Sequence, residues 1–339
     1  MAAYKTRPPY PVTTTPYDKL SPVLILDAIE SLGYQCSGSL FALNSYENRV
    51  YQIGIENDAP IIAKFYRPLR WSDDAILEEH AFSIELASHE IGVIPPLAQP
   101  TGKTLHKYEG YRYAIFARQQ GRPLELEDAE QLEWVGRFLG RLHALGATKP
   151  FTHRLSLTTK TYGEQPYRFL IENDFIPPEL KQSYTTLLET LLIKIEECFQ
   201  EVEDVRYIRV HGDCHASNIL WSGAGPHIVD LDDCLMAPAI QDIWMLLPGG
   251  SAHETERQLN HILRGYCDFN DFNWREVSLI SALRTLRMIH YSGWLAKRWE
   301  DPAFPINFPW FNTLSYWKEQ ITHLSEQLHL LNEGKGDWK

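Results

Sequence analysis

The chain has 339 residues, 44% of them hydrophobic, an ordinary composition for a globular protein of about two domains. Its formal net charge is −12, which argues against nucleic acid as a partner, since phosphate binding needs a basic surface. No apolar run reaches the roughly 18 residues of a membrane span, and the N-terminus lacks the apolar segment of a signal peptide.

Cys36, Cys198, Cys214, Cys234 and Cys267 are odd in number and scattered, which is not a disulfide framework. The expected state is a monomer in a reducing cytoplasm, with no membrane partner. The charge is uneven: residues 1–118 carry 11 Lys and Arg against 13 Asp and Glu, and residues 119–339 carry 21 against 31. An acidic second half suits a basic substrate, although a solvated surface gives the same composition.

Residues 1–16 are rich in Pro and Thr and read as a flexible tail. Residues 22–32 carry a helical pattern that stops at Gly33. Alternation at 40–43, 49–55 and 61–65 predicts strands of an antiparallel sheet. Between the first two lies a glycine-free turn, Asn44, Ser45, Tyr46, Glu47 and Asn48. Lys64 interrupts an otherwise apolar strand, so a buried ammonium there needs a carboxylate. The helix predicted from Asp73 to about Ser88 supplies one. Glu79 shares the apolar face with Phe82 and Leu86, whereas Glu78 and Glu85 lie off it and read as solvated. A last strand from Tyr111 runs into Gln119, Gln120, Gly121, Arg122 and Pro123. That places a hinge near Arg118, between a first domain at 17–118 and a second at 119–339.

The second half reads as mainly helical. Leu132, Val135, Leu139 and Leu142 mark one helix, His143 within it being a core or cap residue. Residues 166–178 look aromatic and irregular, and 187–199 amphipathic. The organising stretch is Val210 to Asp233, read as loop, strand, turn, strand and acidic cluster. It brings Asp213 and Asn218 near Asp230, Asp232 and Asp233. That is the set needed for metal-assisted phosphoryl transfer, with one carboxylate for the proton of an attacking hydroxyl and a carboxylate and an amide oxygen for Mg²⁺. Asp213 and Asn218 are five apart, as in the catalytic loop of protein kinases. Strand alternation would put Asp232 on the same face as Asp230, making it the rival ligand. His211 and His215 are four apart but sit on a loop, which disfavours zinc, and Cys214 and Cys234 read as buried inert thiols. Asp242 opens a helix. Arg284, Arg287, His290, Tyr291, Trp294 and Arg298 recur at helical spacing, either facing a substrate or as core aromatics with a polar rim, the commoner case.

The motifs H-G-D-C-H at 211–215, N-I-L-W at 218–221 and V-D-L-D-D at 229–233 resemble the aminoglycoside phosphotransferase and choline kinase family. With L-N-S-Y-E-N-R-V-Y at 43–51, A-K-F-Y-R-P at 63–68 and Q-D-I-W-M-L-L at 241–247, the match is closer still to its bacterial stress-response Ser/Thr kinases. The resemblance implies an α+β, bilobal protein-kinase-like fold with an antiparallel sheet first and a mainly helical part second. It implies ATP between the lobes, bound by Ser45, by Lys64 held by Glu79, and by backbone around Phe116 to Arg118. Asn218 and Asp230 would hold Mg²⁺, Asp230 counting also as catalytic, and Asp213 would serve the acceptor. In kinase-like folds the residue at the place of Asp242 supports the catalytic loop through backbone N–H groups. The acceptor is a protein Ser or Thr in the stress-response branch. In the wider family it is a small alcohol of the aminoglycoside, choline or homoserine kind. A metallophosphoesterase would need a downstream G-N-H-[DE], which is absent, and a non-catalytic scaffold would usually have lost one of Lys64, Asp213, Asn218 or Asp230.

Overall fold

The computed structural model describes residues 15–223, 225–247 and 251–333. The tail expected over 1–16 falls almost wholly outside them. The first element is α1 (Pro22–Glu30), with Ser21 accepting a hydrogen bond from Leu24 N and Pro22 in its first turn, the usual capped start. Then come β1 (Cys36–Leu43), β2 (Arg49–Ile55), β3 (Ile61–Phe65), α2 (Asp73–Ser88), β4 (His106–Tyr108) and β5 (Tyr111–Ala117). The five strands form one antiparallel sheet in the order β1-β2-β3-β5-β4. α1 packs Ile25, Ala28 and Ile29 against Ile53, Ala63, Phe65 and Tyr113 of one sheet face, and the Tyr113 hydroxyl donates to Ala28 O at 2.6 Å. Each such apolar side chain contributes about 1.5–3 kcal/mol on burial.

The chain leaves the sheet at Ala117 and forms β6 (Arg122–Pro123) and α3 (Ala129–Gly146). α4 (Gln165–Glu172) follows a π-helical stretch at Thr159–Glu164. The segment expected to be irregular is therefore largely helical. Pro166 starts that helix, where a missing N–H costs nothing, and Leu170 turns its face inward. Next are α5 (Pro178–Glu201), β7 (Ile208–Val210), β8 (Ile219–Ser222), β9 (Gly225–Ile228), β10 (Leu235–Ala237) and α6 (Ile240–Trp244). The last helices are α7 (Ala252–Tyr266), α8 (Ile280–Lys297), α9 (Ala303–Asn307) and α10 (Leu314–Glu333). A 3-10 segment at Trp274–Leu279 runs directly into α8. Antiparallel sheet first and mainly helical part second is the fold class the sequence implied. Among the described residues no helix is long and apolar enough to cross a membrane.

α2 is fastened to the helical half by the two carboxylates expected to be solvated. Glu78 accepts from the backbone N–H groups of Thr152, His153 and Arg154, and Glu85 pairs with Arg209 and Lys149. The helical pattern placed both off the apolar face correctly, but that face of α2 looks onto the other half of the molecule, not onto water.

α3 and α7 cross so closely that a Cβ on Gly136 would lie 2.0 Å from Ile262 O, and one on Gly140 2.5 Å from Tyr266 O. Both neighbours are backbone and cannot step aside. Gly136→Ala should therefore destabilise the protein by about 1–3 kcal/mol, as overpacking does. Gly223→Ala, where nothing lies within 4 Å, should unfold with the wild type in the same denaturant titration.

Candidate active site

β3 lies between β2 and β5, with Lys64 opposite Val50 and Ala114. Its side chain leaves the sheet toward α2, and the residue is only 6% exposed. Its ammonium lies 3.5 Å from Glu79 Oε1, 2.9 Å from Asp230 Oδ1 and 3.2 Å from Asp232 Oδ1. Burial alone would lower the Lys64 pKa, but the three carboxylates outweigh it and raise it well above the usual lysine value. Burial pushes Glu79 up to about 7 against the pull of Lys64. One ammonium cannot balance three carboxylates, and Arg70 and Arg154 offset the rest.

The loop after β7 is stitched in place by Asp242 at the start of α6. Its carboxylate accepts from His211 N at 2.7 Å and Gly212 N at 2.8 Å, and His143 Nε2 lies 3.1 Å from the same group. Gly212 has φ 84°, and a Cβ there would meet Asp233 O at 2.3 Å, so glycine is required. His211 Nδ1 accepts from Asp213 N, and Nε2 meets Val229 O at 3.0 Å. Both ring nitrogens of His211 are thus committed to backbone. Asn218 donates its amide N–H to Asp213 O at 2.9 Å, leaving Oδ1 as a hard oxygen donor.

Asp213 is three-quarters buried, with Arg287 Nη2 at 2.7 Å and His215 Nε2 at 3.5 Å. Burial raises its pKa, but the His215 hydrogen bond and the Arg287 charge more than offset that and hold it below the usual carboxylate range. Asp230 ends the hairpin in the left-handed region at φ 63°, and Leu231–Asp233 is a 3-10 turn. This corrects the alternation argument, since no strand runs through 230–232. Both carboxylates still reach Lys64, but they differ. The Asp230 side chain is 51% exposed and that of Asp232 4%. Asp232 is also paired with Arg70. The buried thiols Cys214 and Cys234 have pKa values raised by burial, that of Cys234 to about 12, so both stay protonated.

Two cavities meet here. The first, about 320 Å³, has apolar walls that include Val50, Ile62, Phe116 and Ile228, and it reaches Ser45, Lys64 and Glu79. Ala117 and Gln119 line it; Arg118 does not. The second, about 640 Å³, holds Asp213, Arg70, Arg287, His290, Tyr291 and Trp294. Both include Ser45, Asn218 and Asp230. Three groups here have weak sequence signals. Glu47, in the glycine-free turn, receives a hydrogen bond from Trp294 Nε1 at 2.6 Å and pairs with Arg67 and Arg298. Arg70 pairs with Asp232 and Asp233. Arg154 donates to Cys234 O, Asp232 O and Ala75 O. Only the residue types hinted at them, because their partners are remote in sequence. The rim reading of the α8 residues also needs correction: Arg287, His290, Tyr291 and Trp294 face the cavity, whereas Arg284 packs over Trp244.

Residues 41–280 match the model of the phosphotransferase enzyme family. The chain is 44% identical over 317 residues to stress response kinase A of Salmonella choleraesuis, covering 94% of this chain and 95% of that one. It is equally similar, over the same shares, to the serine/threonine protein kinase RdoA of Salmonella typhimurium. A solved amicoumacin kinase in complex with AMP-PNP and Ca²⁺ has the same fold, with a TM-score of 0.71 at 21% identity, covering 94% of each chain.

Asp232 gives a pH signature. Burial raises its pKa, but Arg70, Lys64 and Arg154 hold it below the ordinary carboxylate value. An acid with a depressed folded pKa contributes stability that is present above its unfolded value, about 3.9, and is lost as pH falls further. Asp232→Asn should therefore melt well below wild type at pH 7, and the gap should narrow as thermal scans move from pH 5 toward pH 3.

Proposed function

The chain belongs to the phosphotransferase enzyme family, and from that premise we propose that it is an ATP- and Mg²⁺-dependent kinase acting on Ser and Thr hydroxyls of proteins. The observation that carries this reading is the meeting of two cavities at Asn218 and Asp230, with Lys64 on one side and Asp213 on the other. The apolar slot between Val50, Ile62, Phe116 and Ile228 suits a flat base. Ser45 and Lys64 stand where its phosphates would lie, and Glu79 keeps the ammonium in place. Phe116 and Ala117 line the slot where the base would be read, and the proposed share of Arg118 is limited to its backbone.

Asn218 Oδ1 and the exposed Asp230 carboxylate are hard oxygen ligands, and they fit Mg²⁺, which usually keeps few protein ligands. Among the described residues no set of three or more His, Cys, Asp or Glu side chains is arranged to hold a metal alone, in keeping with an ion shared with substrate phosphates. When bound, the ion supplies charge neutralisation at the transferred phosphoryl group. Asp232 is left as a buried structural anion. Asp213, kept ionised by its neighbours, orients the acceptor hydroxyl and takes its proton. Phosphoryl transfer asks mostly for such positioning and charge stabilisation.

A protein acceptor is supported by the name of the Salmonella typhimurium relative. The name of the solved amicoumacin kinase favours the rival reading, a small alcohol. Incubation with ATP, Mg²⁺ and either a generic Ser/Thr protein substrate or small alcohols separates them, and transfer to the alcohols alone would replace the protein reading.

Asp213→Asn should lower turnover by about 10²–10⁴ while ATP–Mg²⁺ still raises the melting temperature as in wild type. Asp230→Asn should lose the Mg²⁺-dependent part of that thermal shift. Near-normal turnover of Asp213→Asn, or an unchanged metal-dependent shift in Asp230→Asn, would remove that residue from its role.

A further inference from the structure

Arg287 has more to give than the structure uses. It projects from α8 into the second cavity, its side chain 38% exposed, and spends one N–H on Asp213 Oδ1 at 2.7 Å. A guanidinium carries five N–H groups in a planar fork. Among the described residues the others meet no protein acceptor.

The carboxylates around the same cavity are already matched. Glu47 pairs with Arg67 and Arg298, Asp232 and Asp233 with Arg70, and Asp213 with Arg287. Asp230 lies on Lys64 and is the proposed metal ligand. His215, also in the wall, lies 3.5 Å from Asp213. His290 stacks on Tyr162 at 4.2 Å, and burial pushes its pKa down to about 3, so it carries no charge near neutral pH. The ring faces are occupied too. Tyr291 and Trp294 stack on each other at 5.6 Å, and Arg298 lies over Trp294. A cationic acceptor would thus find these carboxylates already engaged by cations, and it would meet Arg287 at the point of reaction.

We propose that Arg287 is the acceptor-selecting residue: it bridges Asp213 and an anionic group, carboxylate or phosphate, next to the reacting hydroxyl, so that anionic acceptors are favoured and cationic ones rejected. This rests on the kinase reading of the site and sharpens its substrate class. In a protein the anion is an acidic or phosphorylated residue beside the Ser or Thr. The bridging geometry is a charge-assisted, fork-shaped contact, and it places the hydroxyl by holding its neighbour. The acidic surface of the second half does not oppose it. Exposed charges are screened beyond about 8 Å at physiological salt, whereas the guanidinium acts at contact.

The test compares kcat/KM on two Ser peptides, identical except that both neighbours of the Ser are Glu in one and Lys in the other, and on glycerate against aminopropanol. Wild type, Arg287→Gln and Arg287→Lys are assayed, and the ATP–Mg²⁺ thermal shift checks that each variant folds. Wild type should prefer the Glu-flanked peptide by about tenfold or more, the worth of one charge-assisted contact. Arg287→Gln should bring the two peptides to within about twofold, chiefly through KM, and Arg287→Lys should keep part of the preference. Turnover of glycerate over aminopropanol with no peptide phosphorylated would uphold the selection by Arg287 and sink the protein-acceptor reading. Preference for the Lys-flanked peptide or for aminopropanol overturns the proposal. So does a preference that persists in Arg287→Gln, or an equal loss on every acceptor, which would confine Arg287 to holding Asp213.

Discussion

One buried ammonium sets the geometry of this molecule. Lys64 sits in the middle of a sheet, almost out of water, and such a charge is tolerable only beside opposite charges. It collects Glu79 from a helix of its own half and Asp230 and Asp232 from the other half. Three carboxylates are more than one ammonium needs. The surplus is met by Arg70 and Arg154, and of the three only the Asp230 carboxylate is left exposed. The cleft thus presents one exposed carboxylate, Asp230, while Asp232 beside it is held buried by cations.

The glycine-free turn over the first cavity shows the same economy of means. Protein kinases place a glycine-rich loop there, whose backbone can approach phosphates because it lacks side chains. Here the turn keeps its side chains and is held from below. Glu47 is fixed by Arg67, Trp294 and Arg298, and Asn48 Oδ1 accepts from Arg67 N. Tyr46 adds a ring contact with Phe308 at 4.9 Å. The order that glycine-lined loops lack is supplied by ion pairs that cross from one half of the molecule to the other.

What the sequence made legible follows from which signals are local. The strands at 49–55 and 61–65 and the helix at 73–88 appear at their expected bounds, because period and capping reside in neighbouring residues. Lys64 and Glu79 could be paired in advance, since one apolar strand and one apolar helix face must pack together. The acidic cluster was legible as a cluster, but not how it divides. Exposure separates Asp230 from Asp232, and exposure comes from Arg70 and a left-handed turn, neither of which a strand pattern contains. Glu78, Glu85, Glu47 and Arg287 were harder still. Each is a polar residue on a polar face, and only the approach of a distant element shows that the face is covered.

The fastening of α2 has a consequence for control. In many two-lobed enzymes the corresponding helix swings, and effectors work by biasing that swing. Here Glu78 binds three backbone N–H groups of the helical half, Glu85 pairs with Arg209, and Arg154 reaches Ala75 O from the far side. A ligand can shift only an equilibrium that exists. With this helix held at both ends, the contact of Lys64 with Glu79 rests on the same fastening that joins α2 to the helical half. The two cavities that meet at this cleft are the direct place to seek competitors.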